Sequence, residues 1–167
     1  RWLPPGGVLV RKSWAERVGG FRLDLPVIQD ARFLFDLARA GATFAATGKT
    51  GLSYRERAGV SLSRRDSGAF WRDCLLNTEQ VEAGYRAAGQ PTQAVRKSLL
   101  SGFELAARSL GAIDAGAARR ALAGARRQVG GDLHVSRWMR VALSARPFVG
   151  ARLACRLSAP LARSPVA

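Results

Sequence analysis

Histidine occurs once and cysteine twice in this 167-residue chain. A tetrahedral zinc site needs a closely spaced set of Cys, His or carboxylate ligands, so zinc fingers and ribbons are excluded. Cys74 and Cys155 are far apart and near no ligand cluster. They are expected as buried free thiols. There is no run of about 18 apolar residues, so no transmembrane helix is predicted. Lysine is also scarce. Lys12, Lys49 and Lys97 stand among 27 basic residues, and the rest are arginine. An initiator Met is missing, and the chain opens at Arg1-Trp2-Leu3-Pro4-Pro5, as a fragment would.

The formal net charge is +15, which raises a nucleic-acid reading. Arg, Ala and Gly dominate together, however, as a GC-rich coding sequence would produce. The charge is also uneven: residues 1–62 carry 10 basic and 5 acidic side chains, and residues 63–167 carry 17 and 7. A basic C-terminal half fits anionic lipid, an anionic acceptor or RNA. It fits an ordinary solvated surface equally well.

Val8-Leu9-Val10 is a short, β-branched apolar run behind Gly6-Gly7 and reads as a buried strand. Ser13-Trp14-Ala15-Glu16 has the form of a capping box, with Ser13 as N-cap. A short helix follows, and Gly19 supplies a left-handed C-cap. A second helix is predicted over 29–40, with Phe33, Leu34, Leu37 and Ala38 on one face and Gly41 ending it. Thr43-Phe44-Ala45 and Leu52-Ser53-Tyr54 read as short strands about the 48–51 turn.

The character changes after Ser63. Ser67 is placed as the cap of a helix over about 67–88, with Phe70, Cys74, Val81 and Tyr85 as its buried stripe and Trp71 and Leu75 beside it. Gly89-Gln90-Pro91 breaks it. A helix over about 92–110 carries Val95, Leu99, Phe103, Ala106 and Leu110 on one face. The two are expected to pack as an antiparallel pair. Asp114 is placed as the cap of a third helix to about residue 129, stopped by Gly130-Gly131. A last helical stretch starts near Val135 and is interrupted at Pro147. The domain reading is an α/β segment over 1–63, a helical extension over 64–157 and a tail over 158–167.

Asp30 opens the 29–40 helix. There the helix dipole favours its negative charge. Acidic residues are also common at that position for structural reasons alone. Gly6-Gly7 is either a turn needing positive φ or a place where a ligand approaches the backbone. Gly19-Gly20-Phe21 reads as a C-cap followed by an anchoring aromatic. The lone His134 has no visible partner for chemistry.

The order of these pieces resembles the C-terminal half of the catalytic domain of family 2 glycosyltransferases, inverting enzymes with a GT-A fold. The pieces are Gly6-Gly7-Val8-Leu9-Val10, Gly19-Gly20-Phe21, Gln29-Asp30, Tyr54-Arg55-Glu56-Arg57 and Ser61-Leu62-Ser63. The resemblance covers residues 3–63 and implies a partial α/β (GT-A) fold followed by an all-α region. It implies that Asp30 is the general base that takes the acceptor hydroxyl proton. Gln29 stands where the family often has Glu. Arg57 stands where it often has His, and a guanidinium there suits a diphosphate rather than a metal. Arg57 as a solvated strand-end residue is the other reading. Gly6, Gly7, Gln29, Tyr54 and Arg57 are the implied substrate-binding residues.

The implied substrates are a nucleotide-sugar donor and a glycan or lipid-linked acceptor. The implied cofactor is a divalent cation, Mg²⁺ or Mn²⁺, in the intact enzyme. Its usual Asp-x-Asp ligands do not occur here, so the isolated chain is expected to be inactive. The Gln-x-x-Arg-Trp motif of processive synthases is missing too, which favours a non-processive enzyme. The expected location is cytoplasmic, with peripheral contact at the inner membrane face through the basic C-terminal helices. The alternatives are a basic helical module binding RNA or anionic membrane, and a catalytically inactive GT-A scaffold.

Overall fold

A computed structural model of the protein describes residues 5–48, 51–53, 66–130 and 133–144. By its internal contacts the chain divides into two units, Arg1–Asp73 and Cys74–Ala167. The composition change after residue 63 lies outside the described residues.

Among the described residues, six α-helices follow a 3-10 turn at Pro5–Gly7: α1 Lys12–Arg17, α2 Gln29–Arg39, α3 Ser67–Ala87, α4 Gln93–Leu110, α5 Ala115–Gln128 and α6 Arg137–Ser144. No strand occurs among the described residues. The expected α/β, partial GT-A segment is therefore corrected to a helical and irregular one. A strand needs a neighbour to satisfy its N–H and C=O groups, and among the described residues no strand pairs with residues 8–10 or 43–45. At 8–10 the side chains still alternate, with Val8 and Val10 half-buried and Leu9 fully exposed.

In the first unit, Leu25, Ile28, Phe33 and Leu37 are buried. Two helix ends are built alike. Gly19 and Gly41 have φ +77° and +91°, a region that side chains with a Cβ enter only with strain. Each closes a Schellman motif: Gly19 and Gly20 donate to Glu16 and Ala15, and Gly41 and Ala42 donate to Ala38 and Leu37. The start of α1 differs from expectation. The helix begins at Lys12 behind Arg11, no side chain caps it, and an exposed Lys12–Glu16 pair spans its one full turn.

α3 is 21 residues long. Asp66 caps it, not Ser67: the Asp66 carboxylate accepts from Ala69 N–H at 2.8 Å. Its buried line is Gly68, Leu75 and Glu82, while Phe70, Cys74, Val81 and Tyr85 are only half-buried. The buried line is thus rotated from the expected stripe toward Leu75, and it includes a glutamate. Cys74 is a free thiol, half-buried.

The second unit is built on α4 against α5, not on α3 against α4 as an antiparallel pair. Leu99, Leu100, Phe103, Ala106, Ala107 and Leu110 of α4 are buried, as are Ala117, Ala118, Ala121, Leu122 and Ala125 of α5. The alanine face of α5 lets the two backbones come close. Gly124 brings them closer still, since a Cβ there would stand within 2.6 Å of three ring atoms of Phe103. Asp114 caps α5 as expected, accepting from Ala117 N–H at 2.9 Å, and Thr92 caps α4, accepting from Val95 N–H at 3.3 Å. α6 adds Met139 and Ala142 to the core.

Candidate active site

Asp30 sits in the first turn of α2, half-buried. The path of the chain into that turn is fixed at several points. After the Gly19-Gly20 turn, the Phe21 ring packs on Phe33 of α2 at 4.7 Å between centroids, a contact worth about 0.5–1.5 kcal/mol. Arg22 forms a two-point pair with Asp24 at 2.9 Å. That hydrogen bond raises the Arg22 pKa above its ordinary value. Leu25 is buried, and Val27 N–H donates to the Asp73 carboxylate at 2.8 Å.

The N-cap of α2 is Ile28, which has no side-chain acceptor to offer. Asp30 is the acidic residue of that first turn, where the free N–H groups favour negative charge. Its Oδ1 accepts from Ala31 N–H at 2.8 Å. Oδ2 has no hydrogen bond or ion pair among the described residues. One turn on, Arg32 grips Asp36 with Nε 2.9 Å from both oxygens, at 8% and 19% side-chain exposure. That internal pairing consumes the nearest buried cation of the helix.

The other sequence-derived site residues are distributed unevenly. Gln29 is adjacent to Asp30 and half-buried. Gly6 and Gly7 lie in the Pro5–Gly7 turn, exposed and without positive φ, so the need for a left-handed turn there is corrected. That turn approaches Leu52, whose Cδ1 would lie 3.4 Å from a Cβ on Gly6. Tyr54 and Arg57 fall outside the described residues, as do Ser61-Leu62-Ser63. His134 is exposed. Phe33 and Asp73 were not singled out from the sequence as supports of the Asp30 turn. Asp73 is 46 residues from the N–H it accepts, a separation that leaves no local signal.

The most perturbed carboxylate lies elsewhere. Glu82 of α3 has a side chain only 4% exposed. Arg127 forks onto it at 2.6 and 2.9 Å, Gln128 donates at 2.7 Å and Arg86 at 3.1 Å. Burial alone pushes this carboxyl up, and the Arg127 fork, with Gln128 and Arg86, more than reverses it, so Glu82 lies below the usual carboxylate range. Arg127 moves up for the same reason, chiefly through its hydrogen bonds to Glu82. A carboxylate with its oxygens engaged this fully is a structural anchor and a poor base.

The chain matches no protein-family model, no curated protein and no solved structure. The chemistry must therefore be argued from the side chains. No group of three or more His, Cys, Asp or Glu residues among those described is arranged to hold a metal ion. No described helix is long and apolar enough to cross a membrane.

Proposed function

We propose that the protein takes part in a non-processive, inverting glycosyl transfer, with Asp30 as the general base toward an acceptor hydroxyl. The observation that carries this reading is the state of the Asp30 carboxylate. It is half-buried in the first turn of α2, with one oxygen steadied by Ala31 N–H and the other without a partner among the described residues. Glu82 is shut in by cations, Asp36 by Arg32 and Asp24 by Arg22, and Asp73 is committed to the Val27 N–H that supports this same turn. Asp30, at the head of the helix, is the carboxylate proposed for proton transfer.

In the proposed step the acceptor O–H gives its proton to Asp30 as the oxygen attacks the anomeric carbon. The new C–O bond forms as the bond to the diphosphate breaks, and the nucleoside diphosphate leaves with the electron pair from the opposite face. A general base of this kind contributes about 10²–10⁴-fold. Gln29, and with it Gly6, Gly7, Tyr54 and Arg57, are proposed as substrate-binding positions. The donor is a nucleotide sugar, the acceptor a glycan or lipid-linked hydroxyl, and the compartment the cytoplasm.

The test is Asp30→Asn in the intact protein, assayed with a panel of nucleotide sugars. The expected result is a loss of turnover of at least about 100-fold, with donor affinity nearly unchanged. Near-normal turnover would remove Asp30 from the mechanism. Absence of transfer by the parent protein with every donor would overturn the transferase reading as a whole.

A further inference from the structure

The described carboxylates of the second unit are all spent inside it. Glu79 pairs with Arg120, Glu82 with Arg127 and Arg86, and Glu104 with Arg108. Asp114 caps α5. The arginines outnumber them. Arg119, Arg137 and Arg140 are exposed and have no hydrogen bond or ion pair from their side chains among the described residues.

Their placement is not scattered. Arg137 and Arg140 are three apart on α6, and exposed Val141 and Ser144 continue the same face, opposite buried Met139 and Ala142. Arg119 and Arg126 are seven apart on α5, so they share a face two turns long, with exposed Ala123 between. Arg126 Nη2 donates to the Leu143 carbonyl at 3.0 Å. That bond brings the α5 row against the last turn of α6. Two arginine rows therefore adjoin on neighbouring helices.

We infer that the outer face of α5 and α6, carrying Arg119, Arg126, Arg137 and Arg140, is a docking surface for an anionic lipid bilayer. Guanidinium forks match phosphate oxygens, and among the described residues of this unit every acidic side chain is already engaged. Val141, 42% exposed beside Arg137 and Arg140, supplies an apolar contact at headgroup depth. RNA fits less well. Single-stranded binding relies on aromatic platforms, and none of the exposed large hydrophobic residues described in this unit is aromatic. With no described helix able to span a bilayer, the contact is peripheral. This inference is independent of the glycosyl-transfer reading.

The experiment is co-sedimentation of the full chain with phosphatidylcholine vesicles, with and without added phosphatidylglycerol. Binding is expected only with phosphatidylglycerol and should weaken as salt rises. Arg137→Ala with Arg140→Ala should lower partitioning about 10- to 30-fold, with an unchanged far-UV spectrum. Lys12→Ala, on the first unit, and Asp30→Asn should bind as the parent does. No binding, equal binding to neutral vesicles, or full binding by the double variant would overturn the inference. Displacement from the vesicles by a single-stranded RNA oligonucleotide held through the same arginines would overturn it in favour of RNA.

Discussion

At the scale of single residues, Gly124 and Phe103 set how closely α4 and α5 approach. Alanine normally gains about 1 kcal/mol over glycine inside a helix. Here the added methyl would land on a ring that is completely buried, and overpacking of that kind costs about 1–3 kcal/mol. Gly124→Ala is expected to lower stability by up to about 2 kcal/mol in urea denaturation, once the helix gain is offset against the overpacking. A stabilised Gly124→Ala protein would mean that Phe103 moves freely. Asp30 belongs to this scale as well. Its place at the head of α2 was readable from the sequence, because the apolar spacing of Phe33 and Leu37 fixes where the helix lies. The support beneath it was not. Neither the Phe21 ring on Phe33 nor the Asp73 carboxylate on Val27 leaves a pattern that nearby residues reveal.

At the scale of elements, ends were more legible than faces. Asp114 caps α5 as the sequence predicts, Thr92 caps α4 at the expected start of that helix, and Gly19 and Gly41 terminate α1 and α2 as left-handed residues. These features depend on one or two adjacent residues. Asp114→Ala should cost about 1 kcal/mol, measured as a lower urea midpoint with an unchanged slope; no loss would mean that water replaces the cap. Ser13 and Ser67 misled because a neighbouring residue, Arg11 in one case and Asp66 in the other, holds the position before the first helical turn. The face of α3 was misread for a different reason. Periodicity places a glutamate outside, yet Glu82 is buried because Arg127 and Gln128 reach it from 45 and 46 residues away. The strands over 8–10 and 43–45 failed on the same ground. Apolar runs specify burial, but pairing depends on a neighbour that no local pattern supplies.

At the scale of the whole molecule, the Glu82 cluster ties stability to pH. Its carboxyl is held below the usual range in the folded protein. Its contribution is therefore complete above the ordinary Glu value of about 4.3 and is lost as pH falls through the lower folded value. Unfolding free energy is expected to hold from neutrality to about pH 5 and to decline below that. Glu82→Gln should start lower, by about 1–2 kcal/mol, since the half-exposed Arg127 and Arg86 lose their shared carboxylate but stay in reach of water, and its acid decline should be shallower. The same acid slope in parent and variant would show that other carboxylates govern it.

The rows on α5 and α6 consist of arginine, with no lysine among them. A guanidinium keeps its proton at every physiological pH, and enzymes that acylate lysine amines have nothing to act on there. The positive charge of that face is thus a constant of the molecule and not a setting. Attachment would be governed from the opposing side, by how much anionic lipid a bilayer displays and how much salt stands between.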